Sequence, residues 1–285
     1  MSALLAVDGD SFAHRAYHGL PKTLTRAGGR PAGAIIGFAN MLTRLWDAER
    51  PRAVLVAWDT LEHPTYRHTA FEPYQSGRQF DAALLEQLAM LPQFVAACGF
   101  AVAKAAGYEA DDFLAAAAQD EEQRGGTVSV ATSDRDAFQL ASARTTILQP
   151  IRGVSELARI GPAEVRERYG VDPEQVPDFI ALRGDPSDKL PGARGVGPKT
   201  AADVLNQYGS LEAALAEGRF AAQAEELRLY RRIATLDASA PLPSLAEQTP
   251  TWAEASLLAD SWGLGQLAGR LEALARSGAD ARSSS

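Results

Sequence analysis

The sequence predicts an α/β fold, a mostly parallel sheet with helices on both faces, followed by a smaller all-helical unit. Three observations predict it. Short apolar runs recur and end at an acid, stretches of helical period separate them, and after about Gly161 the runs cease while helical stretches between Gly and Pro turns continue. The 285 residues suffice for one large domain or two modest ones. The expected division is a core over 1–160, with a lid at about 60–100, and a helical unit over 161–285.

Leu4-Leu5-Ala6-Val7 reads as a buried strand ending at Asp8 and Gly9. Ile35, Phe38, Leu42, Leu45 and Trp46 follow steps of three and four, the stripe of a crossover helix. Ala53 to Trp58 repeats the strand pattern, with Asp59 at its end. Between Thr60 and Phe80 periodicity fails and Pro64, Pro73 and Gly77 punctuate aromatic and basic residues, predicting a long loop or lid ordered by a ligand. Leu84, Leu88, Leu91 and Val95 mark a helix, Ala101 to Ala103 a short strand, and Ala110 to Gln123 another helix. Strands are expected at Val128 to Thr132 and Thr145 to Leu148. Beyond Gly161, Pro162, Pro173 and Pro198 each open a helix. A helix from Leu264 to Ala275 packs on a neighbour, and Ser277 to Ser285 fray.

The composition is that of an ordinary globular protein, 46% hydrophobic and 22% charged, which excludes collagenous and wholly disordered classes. No uncharged apolar run is long enough to span a bilayer, and the N-terminus lacks a secretory pattern. One cysteine, Cys98, allows no internal disulfide and no cysteine-built zinc site. A cytoplasmic protein, nucleoid-associated if bacterial, with no membrane partner is expected, and nothing suggests more than a monomer. The net charge of -8, from 28 bases and 36 acids, argues against a polyanionic partner unless many acids share one site.

Nine acids do fall where they could share one. In an open parallel sheet, ligands bind beyond the carboxyl ends of the strands. Asp8 and Asp59 end strands, Asp134 and Asp136 follow a third, Glu109, Asp111 and Asp112 begin a helix, and Asp185 and Asp188 lie where the helical unit starts. Each alone reads as a cap or turn residue. Together, crowded carboxylates repel and raise one another's pKa unless cations neutralise them. Hard oxygen donors without a Cys or His cluster suit two Mg²⁺ or Mn²⁺ ions, and such a pair hydrolyses phosphodiesters. His14, His18, His63 and His68 are assigned to no metal. The chain lacks a GxxxxGK[ST] loop, so no nucleotide cofactor is expected, and it has no GxSxG elbow.

Gly195-Val196-Gly197-Pro198-Lys199-Thr200 reads as a glycine hairpin feeding a helix N-terminus, either a phosphate cradle or a tight helix-helix turn. Lys189, Arg194 and Lys199 face one nearby acid, Asp203, which favours phosphate. Residues 11–30 hold Arg15, Lys22, Arg26 and Arg30 and no acid, a second basic zone. In the 60–80 loop, Tyr66, Arg67, Phe71, Tyr74, Arg78 and Phe80 offer stacking and phosphate contacts suited to single strands, although Glu62 and Glu72 cancel the two arginines.

Six motifs then appear in a familiar order: Val7-Asp8-Gly9-Asp10-Ser11, Arg15-Ala16-Tyr17, Tyr108-Glu109-Ala110-Asp111-Asp112, Thr132-Ser133-Asp134-Arg135-Asp136, Gly184-Asp185-Pro186-Ser187-Asp188-Lys189-Leu190-Pro191-Gly192, and the glycine hairpin. Over residues 4 to 240 the chain resembles the 5′-nuclease family, which comprises the 5′ to 3′ exonuclease domain of bacterial DNA polymerase I, its stand-alone relatives and flap endonucleases. The resemblance implies a PIN-like core, a helix-three-turn-helix region, and an arch holding a 5′ single strand of DNA. By motif position, Asp8, Asp59, Glu109, Asp111 and Asp112 would serve the tighter metal, and Asp134, Asp136, Asp185 and Asp188 the second. The hairpin at Gly195, Gly197, Lys199 and Thr200 would hold duplex backbone, with K⁺ there in many members. Arg15 and Arg78 would contact the scissile or neighbouring phosphates.

One departure stands out. Where the arch of the family reads Tyr-Lys-x-x-Arg, this chain has Tyr74-Gln75-Ser76-Gly77-Arg78, and an amide can bond a phosphate oxygen without supplying charge. Arg67 or Lys22 would then be the supporting base. The leading expectation is a stand-alone, structure-selective 5′-nuclease. The alternatives are a flap-DNA-binding module with weak or no cleavage and a PIN-type ribonuclease; the full acid set argues against the first and the helical hairpin against the second.

Overall fold

The computed structural model describes residues 2–77, 79–152 and 156–283. β1 (Leu4–Asp8) runs into α1 (Gly9–Gly19), a two-residue ribbon of β2 (Thr25–Arg26) and β3 (Arg30–Pro31), α2 (Gly33–Glu49) and β4 (Ala53–Ala57). After α3 (Tyr66–Ala70) and α4 (Ala82–Ala97) come β5 (Ala101–Ala103), α5 (Ala110–Gln123), β6 (Val128–Ala131), β7 (Thr145–Arg152) and β8 (Glu156–Ile160). The rest is helical: α6 (Pro162–Tyr169), α7 (Val176–Arg183), α8 (Pro198–Tyr208), α9 (Leu211–Ala216), α10 (Ala224–Ala234), α11 (Trp252–Ser261) and α12 (Gly265–Ser283).

The main sheet has the order β5-β4-β1-β6-β7-β8. Its first five strands are parallel, and β8 returns antiparallel to β7. The predicted strands are all present, and the expected strand at 145–148 extends to Arg152. β8 escapes the sequence pattern because it is an edge strand, with Glu156 and Arg159 exposed and Ile160 alone fully buried. α1 escapes it because its buried side is built from small residues and two aromatics, Ala13, Ala16, Phe12 and Tyr17.

Alternate residues of β1 serve two cores, as the pleat requires. Leu4 and Ala6 face α5 and the helices α6 to α10, while Leu5 and Val7 face α1, α2 and α4. The expected helical unit of 161–285 is corrected here: α11 and α12 belong to the second of these cores. Residues after α10 run back along the sheet, where Val54 N–H donates to Gln248 Oε1 at 2.8 Å and Thr251 N–H to Cys98 O at 3.0 Å. Trp252 then packs edge-on to Phe100 and Trp46, and Leu264, Leu267 and Leu271 are buried with Leu42 and Leu45 of α2.

The expected lid of 60–100 is also corrected, for it is fastened to the body. Leu84, Leu88, Leu91, Phe94 and Val95 of α4 are buried, and Gln87 Oε1 accepts the Ala34 N–H at 2.9 Å. Ahead of α4, α3 carries the buried Arg67, whose guanidinium reaches both α5 and the end of α10. Order there comes from intramolecular bonds.

Candidate active site

Because β1, β4 and β6 are parallel and in register, their carboxyl ends meet at one edge. The chain leaves each strand at an acid or a short acid-bearing loop, and α5 points its N-terminus at the same edge. The result is a cavity of about 870 Å³ lined by Asp8, Asp10, Asp59, Glu109, Asp111, Asp134, Asp136 and Asp185. Seven of these are sequence-predicted; Asp10 is not. Its signal was in plain sight, since an acid two residues beyond a strand-ending acid, on the first turn of a helix, returns toward the same edge.

Hydrogen bonds hold the rim. Asp8 Oδ1 accepts the Ser11 N–H at 2.9 Å and Oδ2 the Thr132 hydroxyl at 2.7 Å. Asp10 Oδ2 accepts the Asp59 N–H at 2.7 Å, and Asp59 Oδ1 accepts the Ala110 N–H at 2.8 Å, linking α1, the end of β4 and α5 through carboxylates. Burial nevertheless dominates: it pushes Asp8 up to about 7 against its two bonds, and Glu109 up to about 7 against the pull of Arg67. Asp10, Asp111 and Asp136 lie well above the usual carboxylate range, from burial first and then from neighbouring acids, Asp59 beside Asp10, Asp8 beside Asp111, and Asp134 beside Asp136. Asp111 Oδ1 and Ser133 Oγ, both in the wall, are buried and have no hydrogen-bond partner among the described residues.

This donor set fits divalent cations. It is all hard oxygen, its charges repel one another, and it holds a buried carboxylate oxygen with nothing to bond. Among the described residues no three acids are gathered as a ready coordination shell; carboxylates without a counter-charge stand apart.

Three predicted site residues are corrected. Arg67 is 2% exposed and donates both terminal nitrogens to Asp112 at 2.9 and 2.7 Å, so it cannot be a nucleic-acid contact. Asp112 is fully buried; besides Arg67 its oxygens accept the Glu109 and Asp237 N–H groups, which leaves a closed ion pair and not a metal ligand. Tyr74 is buried and donates its hydroxyl to Glu109 Oε2 at 3.0 Å, so no base can stack on it. The Arg67–Asp112 pair is a strut under Glu109, whose carboxylate lies 3.3 Å from Arg67.

The remaining predicted residues fall in three places. Gln75 lines the cavity, donating its amide to the Tyr74 hydroxyl at 2.8 Å and to Asp188 Oδ1 at 3.1 Å; Asp188 thus meets the site through Gln75. Arg15 extends along the outside of β7, donating to the Ile151 carbonyl at 3.1 Å, and Lys22 sits over the Tyr17 ring. Arg78 lies outside the described residues. Arg194, Gly195 and Gly197 line a separate hollow of about 550 Å³ before α8, where a Cβ on either glycine would meet nothing within 4 Å. Beside it Thr200 is exposed and the side chain of Lys199 is 92% exposed. Two cationic wall residues were not predicted, Arg135 and Arg183. Arg183 pairs with Asp185 at 3.2 Å and stacks over Phe179, and its position two residues before Asp185 was the available signal.

Comparison with known proteins places this geometry. The N-terminal resolvase-like domain of the 5′-3′ exonuclease family matches residues 3–170, and the family's C-terminal SAM fold matches residues 171–255. The chain belongs to the 5′-3′ exonuclease family. Among curated members, DNA polymerase I of Mycobacterium leprae is 43% identical over 211 residues, 73% of this chain and 23% of that protein. The thermostable DNA polymerase I of Thermus thermophilus is 38% identical over 250 residues, 84% of this chain and 29% of that one. The chain therefore spans about a quarter of the length of the curated relatives it matches. Among solved structures, the T5 5′-exonuclease with divalent metal ions (zinc) bound shares the fold, at 16% identity and a TM-score of 0.69 over 94% of this chain and 98% of that one. The catalytic core of Rad2 in complex with DNA substrate does so at 14% identity and a TM-score of 0.58, over 92% of this chain and 88% of the other. In this member of the family α12 lies beyond both matched stretches, and no helix among the described residues is long and apolar enough to cross a membrane.

Proposed function

We propose that the chain is a divalent-metal-dependent, structure-selective 5′-nuclease that hydrolyses DNA phosphodiesters where a 5′ single strand meets duplex, with exonuclease and flap-endonuclease action. The observation that carries this reading is Asp111, a buried carboxylate with a partnerless oxygen among seven other acids at the carboxyl edge of the sheet. Family membership supports it, as do the metal ions and the DNA substrate named for the T5 and Rad2 structures. A binding module without cleavage has no use for so many buried acids.

Asp8, Asp10, Asp59, Glu109 and Asp111 would hold one Mg²⁺ or Mn²⁺, and Asp134, Asp136 and Asp185 the second. Two such ions, when bound, activate water and stabilise the leaving oxygen. The protein's own groups do the rest. Thr132 and Ser11 fix Asp8, and the Arg67–Asp112 strut and Tyr74 fix Glu109. Ser133 Oγ, buried in the cavity wall with no partner among the described residues, is a hydroxyl that a small shift would free to donate to a phosphate oxygen or orient water. The hairpin before α8, with its helix dipole and Lys199, would grip duplex backbone without reading sequence, and its open glycine backbone is compatible with K⁺. A monomer working on chromosomal DNA in the cytoplasm completes the reading.

The test is a time course on a 5′-labelled DNA flap and a matched RNA, with Mg²⁺, Mn²⁺ or chelator, run beside Asp111→Asn. Metal-dependent cutting at the DNA junction that is lost in the variant is the expected result. Tight flap binding without cutting in any metal would sink the reading, as would equal cutting by Asp111→Asn.

A further inference from the structure

The turns Tyr74–Gly77 and Asp185–Leu190 face each other at the mouth of the acidic cavity, with Gln75 from one and Ser187 from the other in its wall. Building on the nuclease reading, we propose that Lys189 is the phosphate-contacting cation at this mouth and supplies the charge that Gln75 lacks.

The backbone puts Lys189 there deliberately. Asp185 and Leu190 close the turn with paired bonds, Asp185 N–H to Leu190 O at 2.9 Å and Leu190 N–H to Asp185 O at 2.8 Å. Within so tight a closure Lys189 takes φ +59°, a left-handed conformation that Asn and Gly adopt more readily than Lys. This geometry throws the side chain across to the facing turn. Its Nζ lies 3.0 Å from Ser76 Oγ and 3.7 Å from where a Cβ on Gly77 would stand.

The charge arriving there is uncancelled. Among the described residues the Lys189 ammonium is paired with no carboxylate, whereas Arg183 is paired with Asp185, Lys199 with Asp203 and Lys104 with Glu62. Gln75 offers only an amide, already donated to Tyr74 and Asp188. A cavity lined by acids repels a phosphodiester on approach, and a cation at its rim offsets that field where the strand enters. A lysine suits the task, being a mobile point charge that can leave the weak Ser76 contact for a phosphate oxygen.

The experiment compares wild type, Lys189→Gln, Lys189→Asn and the double variant Lys189→Gln/Gln75→Lys. Two readouts are taken: single-turnover cleavage of a 5′-labelled flap with Mg²⁺, and the salt dependence of flap binding with Ca²⁺. Both single variants should cut about tenfold more slowly or worse. Their slope of log affinity against log salt should fall by about one phosphate contact. Asn is at ease at φ +59°, so Lys189→Asn should melt no lower than wild type, which separates lost charge from misfolding. A lysine at position 75 should restore most of the rate. Unchanged rate and salt slope in both single variants would overturn the proposal. So would a slower rate with an unchanged slope and no rescue by Gln75→Lys, the pattern of a merely structural residue. If wild type cuts in no metal, the nuclease reading fails first, and the binding slopes alone still decide whether Lys189 holds a phosphate.

Discussion

Arg67 and Lys199 carry like charges in one chain, yet their surroundings give them opposite value. Arg67 is enclosed and pairs in fork geometry with a fully buried Asp112. Removing one partner of such a pair strands the other charge, so Arg67→Met should destabilise by about 3–5 kcal/mol in a urea titration. Lys199→Ala, at an exposed i, i+4 pair with Asp203, should stay within about 0.5 kcal/mol. At Asp111 the sign reverses. Its carboxylate is buried among like charges, so Asp111→Asn should raise the metal-free melting point at pH 8 while cutting collapses. A lower metal-free melting point for Asp111→Asn would contradict the electrostatic account of the cavity. Arg67 and Asp111 could not be told apart in role from sequence, because spacing places a residue near an edge but does not say whether a partner closes over it.

α12 and α8 show what an element owes to its setting. α8 begins at Pro198, just after a glycine hairpin, and was legible because Gly, Pro and a first-turn base are local signals. Replacing Lys199 by Ala should weaken binding of flap and duplex alike and lower the salt slope by about one, with no change in preference between sequences. α12 was legible as a helix and illegible as to where it packs. With α11 it closes over the core of α2 and α4, burying Leu264 just before it and its own Leu267 and Leu271, each worth about 1.5–3 kcal/mol when fully buried. Truncation after Pro250 would expose that face and remove Trp252 from Phe100, so the shortened chain should lose its cooperative melt by circular dichroism. Retention of the wild-type melting point would refute the packing role given to α11 and α12.

Across the whole molecule, stability is linked to protons, and the proposed metals should enter the same balance. Asp8 and Glu109 titrate at about 7 in the folded protein, against 3.8 and 4.5 for free carboxyls. Between those values these two groups hold more protons in the folded chain than in the unfolded one, so their contribution to stability falls as pH rises from about 4 to about 7. The metal-free protein should therefore melt lower at pH 8 than at pH 5.5. Mg²⁺ or Mn²⁺ should reverse this at pH 8, since a cation binds the carboxylates that the protons have left. Calorimetric scans at the two pH values, with and without Mn²⁺, check it; a metal-free melting point that rises with pH would exclude these two groups as the cause.

By itself the sequence determined the α/β class, the parallel strands, the sheet edge where the acids gather and the family, because strand period, strand-ending acids and glycine turns are local and survive any packing. Tertiary structure alone decided which acids face the cavity and which are sealed. Asp111 and Asp112 are neighbours on the first turn of α5, one in the wall of the acidic cavity and the other paired with Arg67, brought from α3 forty-five residues upstream. It likewise decided that α11 and α12 return to the core shared by α1, α2 and α4 and that Lys189 reaches the turn holding Gln75. Those outcomes depend on contacts between distant segments, which burial and charge pairing select only once the chain has closed on itself.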